Sequence, residues 1–301
     1  MVRMNPGIAY ALSAYLIWGM FPLYFKQVAD VPALEVVMHR TVWSLLFVLL
    51  VLLARKRWAW LGEVMRQPKV LGVFALSALL LSSNWLTYVW AVQNQRVLDA
   101  SLGYFILPLV NVTFAYAFLG ERPRRGQWMA VGMAALGVVW LTIQSGRLPW
   151  VALVLALTFG FYGLLRKVAV LGALEGLTLE TLVLAPIAAA YLAYGLWHGD
   201  SVLLRGPTAT LAWLAVGGPL TAIPLLLFAA GARRIPMTTL GILQYASPSI
   251  LFLLSVLVFK EPLQVPRLIG FALIWGALVV YSLEGLFNSR RMRLVPSGGV
   301  T

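Results

Sequence analysis

Arg40 stands inside an apolar run, PALEVVMHRTVWSLLFVLLVLLA, with His39 beside it and Glu35 one helical turn before His39. Glu180 stands inside a second such run, GLTLETLVL, 140 positions after Arg40. Lys26 and Lys167 form a similar pair at an offset of 141, and Arg166 precedes Lys167. A charge within an apolar span costs from about 2.5 to well above 10 kcal/mol, so it must meet water, a ligand or a partner. Arg40 falls about 9 Å inside its span at 1.5 Å per residue. That depth favours a cavity-facing side chain over an anchor reaching the headgroups. Lys26 with Arg40 on one side, and Arg166, Lys167 and Glu180 on the other, are expected to form two gates, with His39 beside the first. The competing reading of Arg166 and Lys167 is that they are loop-end cations that set orientation. Glu35 reads as solvated near the interface, and His39 alone reads first as a packing residue.

A neutral polar layer lies between these charges. It comprises Ser82, Ser83, Asn84, Trp85 and Tyr88, then Tyr104 and Asn111, then Tyr162, then Gln244 and Tyr245. Aromatic rings with amides suit a small amphipathic molecule, because rings give apolar contact and amides both donate and accept. Asn84, Trp85, Tyr88, Tyr104, Asn111, Tyr162, Gln244 and Tyr245, with Arg40, are therefore the candidate substrate-binding residues. The competing reading is that they tie helices together. Pro108 and Pro248 each free a backbone carbonyl at mid-depth and are candidate hinges.

Other chemistry lacks its parts. There is no cysteine, which removes disulfides and thiolate chemistry. Neither GxxxxGK[ST], HExxH nor GxSxG occurs. Two histidines are too few for a usual metal site, and neither a metal nor a cofactor is expected. An intramembrane hydrolase would need a base beside Ser82 or Ser83, and none stands on a neighbouring turn. Glu35, Glu180 and Glu284 all fall near span ends, which leaves a carboxylate proton relay without mid-depth members.

The elements that must position these residues follow from composition. The chain of 301 residues is 61% hydrophobic and 11% charged, against about 25% charged in an ordinary soluble domain. Lipid is the implied solvent, and long non-alternating runs imply helices. Ten runs reach the spanning length of about 20 residues: 8–28, 34–54, 70–92, 101–119, 127–144, 149–168, 177–197, 210–230, 238–259 and 267–286. With both termini in the cytoplasm, 16 Lys and Arg fall inside and 6 outside, as the positive-inside rule requires. The net charge of +13 is thus topological and does not point to nucleic acid, because the basic residues sit between apolar runs. The first run follows the N-terminus too closely to be a cleaved signal and is read as a retained helix. Trp58 and Trp60 read as interface anchors.

The chain also repeats itself. Leu102-Gly103 matches Leu240-Gly241, Pro108 matches Pro248, Glu121 matches Glu261, and Gly19 matches Gly160, at offsets of 138 to 141. Five spans per half force the second half to enter the membrane in the opposite sense, which is the plan of an inverted-repeat transporter. The repeats are expected over 5–145 and 146–287, with a basic cytoplasmic tail over 288–301. Small residues one turn apart, Ala130 with Ala134 in span five and Ala272 with Gly276 in span ten, allow close helix approach, read as scaffold packing rather than a dimer face.

The segments NWLTYVWAV, VLDASLGYFILPLVNV, FLGERPRRGQW, FGFYGLLRK, GLTLETL, LLLFAAGARRIPMTTLGILQYASP and FALIWGAL together resemble the RarD family of permeases, in the EamA branch of the drug/metabolite transporter superfamily. The resemblance covers residues 5 to 287. It implies an all-α integral membrane protein of ten transmembrane helices in two inverted five-helix EamA-type repeats. It implies a bacterial inner-membrane location and a small-molecule substrate moved through a central cavity lined by the first four helices of each half. The resulting expectation is a secondary transporter, monomeric or homodimeric, with no enzymatic activity. The alternative is a channel-like facilitator, which two unequal halves suit poorly.

Overall fold

A computed structural model describes residues 5–56, 58–93, 97–145, 150–258 and 265–294. Fourteen helices occur among them, and no strand. They are α1 (Pro6–Gly19), α2 (Phe21–Gln27), α3 (Ala33–Arg55), α4 (Ala59–Val64), α5 (Pro68–Gln93), α6 (Val97–Leu119) and α7 (Arg125–Ser145). Then follow α8 (Trp150–Val168), α9 (Ala173–His198), α10 (Val202–Arg205), α11 (Thr208–Ala232), α12 (Met237–Leu243), α13 (Ala246–Leu257) and α14 (Val265–Leu294). Glu261 of the expected repeat and residues 295–301 of the expected tail lie outside the described residues. Residues 288–294 continue α14.

Among the described residues, eight stretches are long and apolar enough to cross a membrane: Pro6–Gln27, Ala33–Arg55, Pro68–Ala91, Leu102–Leu119, Arg125–Gln144, Trp150–Val168, Ala173–His198 and Thr208–Ala232. They coincide with the first eight expected spans to within a few residues. The expected ninth is divided into α12 and α13 at Gln244 and Tyr245. The expected tenth lies in α14, whose apolar part is the shorter stretch Leu268–Glu284.

Local sequence explains the boundaries. Asn5 caps α1 by accepting from the Gly7 amide at 2.8 Å, with Pro6 at the first helical position. Pro22 has no amide for the carbonyl a turn earlier, and the first span breaks into α1 and α2 at Met20. The α3 helix ends where Lys56 turns left-handed at φ 50°, and α9 ends on Gly199 at φ 73°. The two candidate hinges differ in setting. Pro108 lies within the continuous α6, whereas Pro248 sits in the first turn of α13, where a missing amide goes unneeded.

Helices of the two expected halves pack on each other. The α3 helix lies on α9 and α11, α5 on α8 and α9, α6 on α8 and α12, α1 on α11, α12 and α13, and α7 on α14. The α7–α14 seam buries Ala130 and Ala134 against Ile274 and Ala277. Here one expectation is corrected. Ala272 is exposed, whereas Gly276 meets Met133, whose Cε would stand 2.9 Å from a Cβ there, and a further close approach falls at Gly137 and Gly270. A Cβ on Gly137 would stand 3.0 Å from the Gly270 carbonyl oxygen. An aromatic core forms where Tyr15, Trp18, Phe159, Tyr162 and Phe228 meet between α1, α8 and α11.

Candidate functional site

Arg40 projects from α3 into a cage of rings. Its guanidinium carbon stands 5.1 Å from the Trp85 ring, 5.3 Å from Phe21 and 5.6 Å from Phe25. Nε donates to Thr221 Oγ1 on α11 at 2.7 Å. The side chain is buried and does not reach the headgroups. Phe25 meets Tyr88 at 6.2 to 6.3 Å between centroids, as Tyr88 meets Tyr104, extending the aromatic wall across α5 and α6. Tyr88, Tyr104, Trp85, Phe21 and Phe25 each keep part of their surface accessible. Such a wall offers cation–π stabilisation of about 0.5–2 kcal/mol per ring. Lys26, expected beside Arg40, is exposed at the end of α2.

A second centre holds Glu180. Because α9 starts at Ala173, Glu180 lies about two turns inside the helix, deeper than the sequence suggested, and it is fully buried. Glu180 Oε1 accepts from Ser77 Oγ on α5 at 2.6 Å and faces Arg166 Nη1 at 3.6 Å. Arg166 is equally buried; its Nη2 donates to the Gly172 and Ala173 carbonyls, and Phe74 covers its face at 5.5 Å. A Cβ on Gly176 would come within 1.8 Å of Arg166 Nη1, so only glycine leaves room for the guanidinium. Tyr162 is buried beside the pair and stacks on Phe228. Arg166 is thus more than a loop-end cation: it neutralises a buried carboxylate.

Two carboxylates join the halves at helix starts, and sequence reasoning missed both roles. Glu121 accepts from the amides of Met237 and Thr238 at 2.7 and 3.0 Å and from Thr238 Oγ1 at 2.8 Å, holding the start of α12. Lys167 stands 3.9 Å from Glu121 and donates to the Ala232 and Ile235 carbonyls at the end of α11. A carboxylate at a helix start and an ammonium at a helix end each oppose the local dipole. Glu35 is buried, not solvated as expected. It accepts from Ser201 Oγ and the Val202 amide at the start of α10, and His39 stands 3.9 Å away. The signal in the sequence was Ser201, Thr238 and Pro236, residues that begin helices.

The amides of the neutral layer tie helices together. Asn84 Nδ2 donates to the Leu155 carbonyl and Thr158 Oγ1 of α8. Asn111 Nδ2 donates to Gln244 Oε1 at 2.9 Å, joining α6 to the break between α12 and α13. Tyr245 Oη donates to the Phe105 carbonyl. A Cβ on Gly241 would stand 2.9 Å from the Pro108 carbonyl oxygen, so the helices touch there along their backbones. Of the candidate binding residues, the fold gathers Arg40, Trp85, Tyr88 and Tyr104 into one wall, places Tyr162 beside Glu180, and uses Asn84, Asn111, Gln244 and Tyr245 as ties. An apolar groove of about 420 Å³ also runs along α5, lined by Leu34, Leu86, Thr87, Val89, Trp90 and Trp150. It contains no charge that could select an ion, so the Arg40 wall is the stronger candidate.

The profile of the EamA-like transporter family matches the chain twice, over residues 5–143 and 148–283. An uncharacterized transporter of Pseudomonas aeruginosa is 47% identical over 96% of this chain and 97% of its own length. The protein RarD of Streptomyces exfoliatus is 44% identical, covering 95% and 91% of the two chains, and RarD of Escherichia coli is 41% identical, covering 95% and 96%. A solved crystal structure matches 92% of this chain and 97% of its own at a TM-score of 0.69; at 21% identity, this likeness concerns the fold alone. With two family matches along one chain and RarD relatives over nearly its whole length, this multi-pass membrane protein belongs to the EamA-like transporter family, in its RarD branch.

Proposed function

We propose that this protein is a secondary transporter of the bacterial inner membrane, carrying a small solute by alternating access. In this reading ten crossings form two inverted repeats, 5–145 and 146–287, and the solute is held near Arg40, Trp85, Tyr88 and Tyr104. Lys26, His39, Arg166, Lys167 and Glu180 belong to the ends that open in turn, with Pro108 and Pro248 at the bending points. Membership in the family supports transport as such. The observation that carries the mechanism is the Glu121–Lys167 join. One carboxylate and one ammonium hold the start of α12 and the end of α11 at one end of the molecule. Both side chains are still about a fifth exposed, so water can take over their bonds when the join opens. A contact of modest net strength suits a change between two states separated by a few kcal/mol. By the lysine and arginine bias, this end faces the cytoplasm.

Because the chain has no cysteine, single introduced cysteines report without background. Thr239→Cys reports on the cytoplasmic end and Tyr88→Cys on the opposite chamber. Adding Glu121→Gln is expected to raise maleimide labelling of the first about threefold or more and to lower that of the second, since a loss of about 1–2 kcal/mol shifts a two-state balance by that factor or more. Labelling that rises at both positions would indicate a pore or a loosened fold and would overturn alternating access.

A further inference from the structure

The two charged centres occupy equivalent places in the repeat but are not equivalent in charge. Arg40 corresponds to Glu180 at an offset of 140, Phe25 to Arg166 and Phe21 to Tyr162 at 141, and Gly217 to Ser77 at 140. In one half the central charge, Glu180, has its counter-ion in Arg166 and a hydroxyl donor in Ser77. In the other half the central charge, Arg40, finds Phe25 where the counter-ion would stand and Gly217 where the hydroxyl would stand. Among the described residues no carboxylate lies within ion-pair distance of Arg40. Its only hydrogen bond among them is the one from Nε, which leaves both terminal nitrogens as donors. Tyr24 Oη is a second unfilled group: it is buried, has no hydrogen-bond partner among the described residues, and lies beside the Arg40 stem at Gly217.

We infer that Arg40 and Tyr24 form the binding site of an organic carboxylate with an apolar body, the ligand supplying the negative charge that the protein withholds from this half. This rests on the transport reading above. The guanidinium offers two parallel N–H donors, which fit a carboxylate. The Tyr24 hydroxyl adds a third donor. Phe25, Trp85, Tyr88 and Tyr104 offer rings to the apolar body and would give little to a hydrated inorganic anion. A permanent protein carboxylate would occupy the terminal donors; the rings face the guanidinium without taking them.

The experiment uses the full chain in detergent micelles and in vesicles. Melting temperature and binding are measured with phenylacetate, hexanoate, phenylacetamide, phenethylamine and inorganic phosphate. The carboxylates are expected to raise the melting temperature saturably, and phenylacetamide and phenethylamine to bind at least tenfold more weakly. Arg40→Gln is expected to abolish the preference for carboxylate over amide, Arg40→Lys to keep part of it, and Tyr24→Phe to weaken carboxylate binding severalfold. Equal binding of phenylacetate and phenylacetamide by the unaltered protein overturns the inference without recourse to any variant. Saturation by phosphate alone at the same site, or competition only by phosphatidylglycerol, overturns it in favour of an inorganic anion or a lipid headgroup. Exchange of the amine by vesicles with no carboxylate binding sinks this inference while leaving transport intact. Carboxylate binding with labelling that rises at both cysteine positions does the reverse.

Discussion

At the scale of single residues, the Arg166–Glu180 pair is the feature most sensitive to change. Both side chains are within 2% of full burial, so removing one partner leaves a charge in lipid-shielded surroundings. Glu180→Leu alone is expected to cost about 3–5 kcal/mol of stability, and Arg166→Met a similar amount. The double substitution should cost less than the sum, by about 1–3 kcal/mol, read from unfolding of the purified protein in detergent. Additivity within about 0.5 kcal/mol would mean that the two groups are not coupled. A charge reversal should not restore the protein. A carboxylate at 166 would face the Gly172 and Ala173 carbonyls that the guanidinium now satisfies. Gly176→Ala probes the same centre from a third side, since its methyl group would displace the guanidinium.

At the scale of elements, the question is what holds α6 against α12 across the two halves. Gly241 lets the backbone of α12 touch α6 at the Pro108 carbonyl, and the Asn111–Gln244 bond closes the same contact one turn away. Gly241→Leu is expected to lower stability by about 1–3 kcal/mol through overpacking. Gly132→Leu is the control: a Cβ there meets nothing within 4 Å, on an exposed face of α7. It should be neutral or slightly stabilising, because leucine is the better helix former by up to about 1 kcal/mol. Equal losses at the two positions, read by thermal unfolding, would show that helix propensity rather than close approach governs the contact.

At the scale of the whole molecule, orientation is the testable quantity. Basic residues gather at Arg55, Lys56, Arg66 and Lys69, at Arg122, Arg124 and Arg125, and at Arg233 and Arg234, all on the side assigned to the cytoplasm. A fluorescent protein fused to either end should therefore fold and shine, and alkaline phosphatase at either end should stay inactive. An active phosphatase at the C-terminus together with a cytoplasmic N-terminus would leave an odd number of crossings and remove the inverted repeat. The helix packing bears on the same point. The contact of α6 with α8 has its counterpart in α12 and α13 with α1, that of α3 with α11 in α5 with α9, and that of α1 with α11 in α8 with α5. Two halves related by a rotation would give this pattern of paired contacts.

The sequence alone determined that the chain is helical and built for lipid, where its first eight spans run, and that it carries two copies of one family unit. These are one-dimensional properties: a run of apolar residues long enough to cross lipid must be a helix whatever it packs against. The Arg40–Glu180 correspondence was also legible, because it is a matter of counting. What only the tertiary structure decided was the partner of each polar group. Glu35 lies near a span end, and nothing in its neighbours shows that Ser201, 166 positions later, turns its hydroxyl toward it. Asn84 and Tyr88 look alike as mid-depth polar residues, yet one is used up tying α5 to α8 and the other lines the aromatic wall. Pro248 has no amide for the Gln244 carbonyl, which accounts locally for the break at Gln244 and Tyr245, but that Asn111 and Tyr15 meet the chain there is decided by the fold. A buried polar group is costly unless paired, and the pair is chosen by which helices touch, a property of the folded chain in three dimensions.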